Sequence, residues 1–140
     1  MKYKGYFEEY EVDKVEVGSY AKGLPIYIQL YGKEEPLATV TVNLGDSAGN
    51  GAVLMPFVGF VDTNNNPGIM QFLNENGFGE PFKRFGAPVT VYSGYCEYPV
   101  YEFNRQKLAE LDPEGTERYY KTYCERMEKA RKKLVSRGAV

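Results

Sequence analysis

The chain has 140 residues, 43% of them hydrophobic and 15% aromatic, with 17 basic against 19 acidic residues and a net charge of −2. That suffices for one hydrophobic core but not two, and the composition is that of ordered globular material. Histidine is absent, which removes every Ser-His-Asp or Cys-His device and the commonest metal ligand together.

The aromatics are skewed: 13 Tyr, 8 Phe and no Trp. A tyrosine has an apolar ring and a polar tip, so such a set suits half-exposed sheet faces and partner surfaces equally. Cys96 and Cys124 have no CxxC spacing, so neither a zinc site nor a dithiol motif is supported; free thiols are expected, with a disulfide left open. The first 16 residues carry five acids and no apolar stretch of the kind a secretory signal needs. The longest nearly apolar run, Gly51 to Val61, has 11 residues and contains Pro56, well short of the roughly 20 of a membrane span. A cytoplasmic protein without membrane contact is expected.

From Tyr3 to Val17 the chain alternates loosely, with Tyr6, Tyr10, Val12, Val15 and Val17 as the apolar set. A slip of phase at Asp13-Lys14 implies a bulge or two short strands. After a glycine-containing loop, IYIQLY alternates cleanly, Ile26, Ile28 and Leu30 on one face and Tyr27, Gln29 and Tyr31 on the other. A turn at Gly32 to Pro36 leads to LATVTVNL, a second strand, and so short a connection implies an antiparallel hairpin. GDSAGNG at Gly45 to Gly51 is glycine-rich, but it lacks the lysine and the strand-to-helix setting of a phosphate loop.

The central stretch FVDTNNNPGIMQFLNENGFGEP reads as strand, turn and short helix. Val58, Phe60 and Val61 form the strand and Asp62 stops it. Asn66 suits an N-cap and Pro67 the first helical position; Ile69, Met70, Phe72 and Leu73 supply the apolar face, and Gly77 a left-handed end with Phe78 folded back. The alternate spacing of Asp62, Asn64 and Asn66 imitates the start of a calcium loop. The pattern then fails, because Pro67 and Leu73 stand where glycine and a bidentate glutamate are needed. No metal and no cofactor are expected.

Val89 to Ser93 and Tyr98 to Phe103 are extended, with a bend at Gly94 and an edge or bulge position at Pro99. Asn104 caps a short helix, RQKLAEL. Asp112 caps the last element and Pro113 opens it; the helix runs to about Arg137, with Tyr120, Tyr123, Met127, Ala130 and Leu134 as its stripe and Tyr119 on the flank. Residues 113–140 carry a net +4 and residues 1–112 a net −6. Acids early in the last helix and bases late match its dipole.

Three segments, IYIQLYGKEEPLATVTVNL, FVDTNNNPGIMQFLNENGFGEP and SGYCEYPVYEF, together resemble a group of small uncharacterised bacterial proteins of conjugative elements and prophages of Gram-positive gut bacteria. In that group a "P-x-A-T-L-T-V-N-L" strand precedes a short helix ending near "E-x-G" and a "S-G-[FY]-x-x-x-P-V-Y" segment. Here the matching residues are Pro36 to Leu44, Glu75 to Gly77 and Ser93 to Tyr101. The resemblance implies a mobile-element accessory role and carries no catalytic residues.

The expected fold is α+β: a mostly antiparallel sheet of five or six strands, one short helix, and a long C-terminal helix packed on one face, within a single domain of a sheet-rich core (1–111) and the amphipathic helix (112–137). A half-open barrel closed by that helix is the alternative. The expected function is a non-catalytic protein-interaction module with Tyr27, Tyr31, Tyr92 and Tyr95 facing a protein partner. Its first alternative is nucleic-acid binding through Arg126, Lys129, Lys132, Lys133 and Arg137. Its second is a carboxylate-based hydrolase drawing a pair from Asp62, Glu75, Glu80 and Glu97, although no spacing selects one. The last helix could also pair with its copy in a homodimer.

Overall fold

The computed structural model describes residues 1–20, 25–44 and 55–138, with side chains as far as residue 133. The strands in chain order are β1 (Lys2–Lys4), β2 (Glu9–Glu11), β3 (Lys14–Ser19), β4 (Ile26–Tyr31), β5 (Pro36–Thr39), β6 (Thr41–Val42), β7 (Val58–Val61), β8 (Gly79–Pro81), β9 (Lys83–Arg84), β10 (Ala87–Pro88), β11 (Thr90–Ser93) and β12 (Cys96–Phe103). The helices are α1 (Ile69–Glu75), α2 (Arg105–Leu111) and α3 (Pro113–Gly138). The GDSAGNG segment lies outside the described residues.

The fold is α+β with antiparallel sheets, but the strands do not form one sheet. β3, β4 and β5 make one of three strands; β6, β7, β12, β11 and β8 make another; β1 with β2, and β9 with β10, are separate hairpins. The slip of phase at Asp13-Lys14 is where the chain leaves the first hairpin for β3. Tyr3, not Tyr6, is the inward ring of that hairpin: Tyr3 is buried, whereas Tyr6 sits exposed on the turn.

The run PLATVTVNL serves both larger sheets. Pro36–Thr39 pairs with β4, the chain bends at Val40, and Thr41–Val42 pairs with β7. The bend is hydrogen-bonded throughout. Val40 N–H donates to Ile28 O at 2.9 Å, and the Thr41 hydroxyl accepts the Ile28 N–H at 3.1 Å, so both of these buried N–H groups are satisfied where the sheets part. Inward alternation holds along β4, where Ile26, Ile28 and Leu30 are fully buried; Gln29 is buried as well, its amide donating to Leu30 O at 3.1 Å.

β12 is the spine of the second sheet. β7 flanks Val100–Glu102 on one side, while β11 flanks Cys96–Pro99 and β8 flanks Tyr101–Phe103 on the other. Pro99 falls in the half that only β11 flanks, where a missing N–H is tolerated. Both faces of this sheet are covered. Tyr101, Phe103 and Val61 join the main core with Val15, Val17, Ile28, Leu73 and Leu108, and Val58, Phe60, Val100, Val91 and Phe82 form a smaller cluster on the reverse.

α1 begins two residues later than the sequence suggests, and Asn66 does not cap it. Gly68, with φ of 78°, is the N-cap, and no side chain caps the helix. The Asn66 amide is taken by tertiary contacts, donating to Thr39 O at 2.7 Å and Asp62 O at 3.0 Å. The far end follows expectation: Gly77 has φ of 70°, Phe78 N–H returns to Leu73 O at 3.0 Å, and the Phe78 ring lies 5.4 Å from that of Phe72. Asn104 and Asp112 also act as caps, their Oδ1 atoms accepting Lys107 N–H at 2.9 Å and Gly115 N–H at 3.1 Å.

The buried stripe of α3 is rotated from the expected one. Gly115, Thr116, Tyr119 and Tyr123 are buried, Tyr120 and Met127 half-buried, and Glu128 to Lys133, Ala130 included, exposed. The first turn sets this rotation, because Asp112 also accepts the Val17 N–H at 2.9 Å and thereby pins the helix start to the free edge of β3. One turn on, Tyr119 lands beside Phe57, its ring centroid 5.0 Å away and its hydroxyl accepting the Phe57 N–H at 2.9 Å. Burying such a ring contributes about 2 kcal/mol. The Leu134 side chain lies outside the described residues.

Candidate partner-binding surfaces

The β11–β12 turn of the five-stranded sheet and the turn of the separate β9–β10 hairpin expose aromatic rings. Tyr92 lies on β11, and Tyr95 follows Gly94 in the β11–β12 turn; they are 70% and 108% exposed. The β9–β10 turn consists of Phe85 and Gly86, both at positive φ (55° and 80°), and Phe85 is 101% exposed. A two-residue turn with both φ values positive suits Asn-Gly. A phenylalanine there is strained and gains nothing from burial.

Tyr27 and Tyr31 lie on β4, in the other large sheet, so the four candidate tyrosines form two pairs. Both are half-buried. The Tyr27 ring meets that of Tyr20 edge-on at 5.4 Å and its hydroxyl donates to Gln29 Oε1 at 3.3 Å; burial, with Tyr31 nearby, raises its phenol pKa. Tyr31 lies under the Lys14 ammonium, 5.5 Å from the ring centre.

A third aromatic surface was not legible in the sequence. The β1–β2 turn carries Tyr6 and Phe7, 82% and 97% exposed, with ring centres 6.3 Å apart. Together with Tyr3, Tyr10 and Leu37 they line a groove of about 450 Å³ that runs to the Asn65–Pro67 turn. The sequence signal was a tyrosine-rich N-terminus, but only the docking of that hairpin on α1 shows which rings turn outward.

Of the basic candidates on α3, Arg126 is half-buried and its guanidinium donates to Tyr20 O at 3.0 Å. Lys129, Lys132 and Lys133 are exposed beyond the packed part of the helix, and the Arg137 side chain lies outside the described residues. Arg131 pairs with Glu128 at 2.8 Å, which holds the Glu128 carboxyl below its usual range.

The four candidate carboxylates are dispersed. Asp62 closes its own turn, accepting Asn65 N–H at 3.1 Å and the Asn65 amide at 2.8 Å. Asn64 donates to Glu97 O at 3.0 Å, so this stretch is built as a turn. Glu75 accepts the Gln71 amide at 2.8 Å, Glu97 lies on β12 opposite Tyr92, and Glu80 lies on β8 opposite Glu102. Among the described residues no three His, Cys, Asp or Glu side chains gather as a metal would need. Cys96 and Cys124 are free thiols. No helix among the described residues is long and apolar enough to cross a membrane.

These observations define a small α+β domain with exposed aromatic turns and a basic helical end. The chain belongs to the family of the domain of unknown function DUF4313, which it matches over residues 14–123. The match opens with β3 and closes at Tyr123, the last buried residue described on α3. No curated protein and no solved structure matches the chain.

Proposed function

We propose that the protein is a non-catalytic protein-interaction module, a cytoplasmic accessory factor of a bacterial mobile element. The observation that carries this reading is the set of aromatic rings at three hairpin turns: Phe7, Phe85 and Tyr95 are each at least 97% exposed. Large rings left in water on short, fixed turns are the anchors that protein interfaces use, because few rotatable bonds are frozen on binding. The strained turn at Phe85 adds weight, since a ring kept at a conformational cost implies a use outside the fold.

The test is retention from a bacterial lysate treated with nuclease, comparing the native chain with a variant carrying Phe85→Ser, Tyr92→Ser and Tyr95→Ser. A protein retained by the native chain and released by the variant supports the reading. Retention of nucleic acid alone, lost on nuclease treatment, overturns it.

Nucleic-acid binding is the second reading, favoured by the exposed Lys129, Lys132 and Lys133 at the end of α3. It requires affinity that falls steeply with salt and disappears when these three are changed to Gln.

A further inference from the structure

Three segments far apart in sequence meet at the groove behind the β1–β2 turn: that turn itself, Glu35 with the first residues of β5, and the Asn65–Pro67 turn before α1. The groove is preformed. The Tyr3 hydroxyl donates to Pro67 O at 2.8 Å, and Gly68, at positive φ, lets the Lys4 carbonyl approach so closely that any side chain there would collide with it. The hairpin is thus held against the start of α1, with the Tyr3 ring packed on Phe72 (5.8 Å) and Tyr10 (6.2 Å).

The lining combines rings with one sign of charge. Tyr6, Phe7 and Tyr10 supply the walls, Glu8 and Glu35 are the charged groups, and among the described residues no lysine or arginine lines it. Both carboxylates act on one phenol: Glu8 beside the Tyr10 hydroxyl raises its pKa most, burial adds to the shift, and Glu35 adds the smallest part. An anionic ligand is therefore disfavoured. A cation held between Glu8 and Glu35 would meet negative charge and the faces of tyrosine rings together.

Aromatic walls suit a polyproline-type segment, whose rings pack flat on them and which loses little entropy because it is already extended. We propose that this groove binds an extended, proline-containing segment of a partner protein, with an arginine or lysine of that segment seated between Glu8 and Glu35. The inference rests on the protein-interaction reading and places one contact of that kind on a groove half of whose lining, Tyr3 to Tyr10, precedes the family match, which begins at residue 14. A second copy of the chain, offering the basic end of α3, is the competing occupant.

Random dodecapeptides displayed on phage are selected against the full chain. Enriched sequences are then measured as labelled free peptides, by fluorescence polarisation, against the native chain and the variants Phe7→Ser, Glu35→Gln and Tyr95→Ser. Phe7, Glu35 and Tyr95 are exposed, so the folded state is kept. Enriched peptides are expected to hold proline next to a cation. Affinity should fall about tenfold in Phe7→Ser and about threefold in Glu35→Gln, and stay unchanged in Tyr95→Ser. Peptides lacking the proline and cation, or indifferent to Phe7→Ser and Glu35→Gln, overturn the groove. Loss of affinity in Tyr95→Ser alone also overturns it, while leaving the broader interaction reading standing. An absence of enrichment overturns it too, and the lysate experiment then decides that reading separately. Self-association in sedimentation equilibrium that Glu35→Gln abolishes assigns the groove to a second copy and overturns the peptide proposal.

Discussion

The carboxylate of Asp112 joins Val17 to the start of α3: Oδ2 accepts the Val17 N–H at 2.9 Å while Oδ1 accepts the N–H of Gly115 at 3.1 Å. One side chain caps a helix and closes a strand edge. Asp112→Ala removes both partners, and about 2 to 3 kcal/mol of stability should go with them. Asp112→Asn retains one acceptor and should lose less. Urea titration followed by circular dichroism separates the two; equal losses would mean that the two-sided bridge does not matter.

Gly115 lies in the closest part of that junction. A methyl group there would run into Asp112 Oδ2 and the Val17 carbonyl. Alanine is the better helix former by about 1 kcal/mol, so an unhindered helix would gain from the change. Gly115→Ala should instead destabilise by at least about 2 kcal/mol. A thermal melt gives the sign directly.

Burial pushes the phenols of Tyr101 and Tyr119 up to about 12, with Glu80 adding to the shift at Tyr101. Their unfolded value is near 10. The folded state therefore holds these protons more tightly, so this stability is fully present below pH 10 and is lost as pH rises from 10 to 12. Tyr119→Phe should flatten that alkaline decline. It should also cost about 1 to 3 kcal/mol at neutral pH, because the Phe57 N–H loses its acceptor. Stability curves at pH 7, 10 and 11 test both parts.

Phe85→Asn should stabilise. The residue sits at φ of 55° in a two-residue turn and buries nothing, and asparagine tolerates that region while phenylalanine does not. A gain of about 1 kcal/mol is expected in a chemical melt. A loss would mean that the ring packs on something and is not presented outward.

Local punctuation was legible in the sequence. Gly77, Asn104 and Asp112 end or start helices as expected, because capping is decided within a few residues. Asn66 has the residue type of a cap but does not serve as one, because Thr39 O, 27 residues away in sequence, takes its amide. The rotation of α3 was off by one residue because Tyr119 and Tyr120 are the same residue type, and periodicity cannot tell which turns inward. A single strand was expected over Leu37 to Leu44, yet the bend at Val40 gives its halves to different sheets. Alternation records the face of a residue, not the identity of its neighbouring strand. The same ambiguity hid the candidate site, since tyrosines serve equally as core (Tyr3, Tyr101, Tyr119) and as exposed tips (Tyr6, Tyr95).

The distance along the chain between Val17 and Asp112, 95 residues, sets an order of events in the cell. β3 and β4 leave the ribosome before α3 and can pair at once, but the outer edge of β3 receives its Asp112 contact only when that residue has been made. At synthesis rates of roughly 5–20 residues per second, that edge stands open for on the order of ten seconds. During that interval each nascent chain presents an unprotected strand to its neighbours on the same messenger. Slower translation of the region between them would lengthen the exposure and lower the yield of soluble protein, without any change in the finished fold.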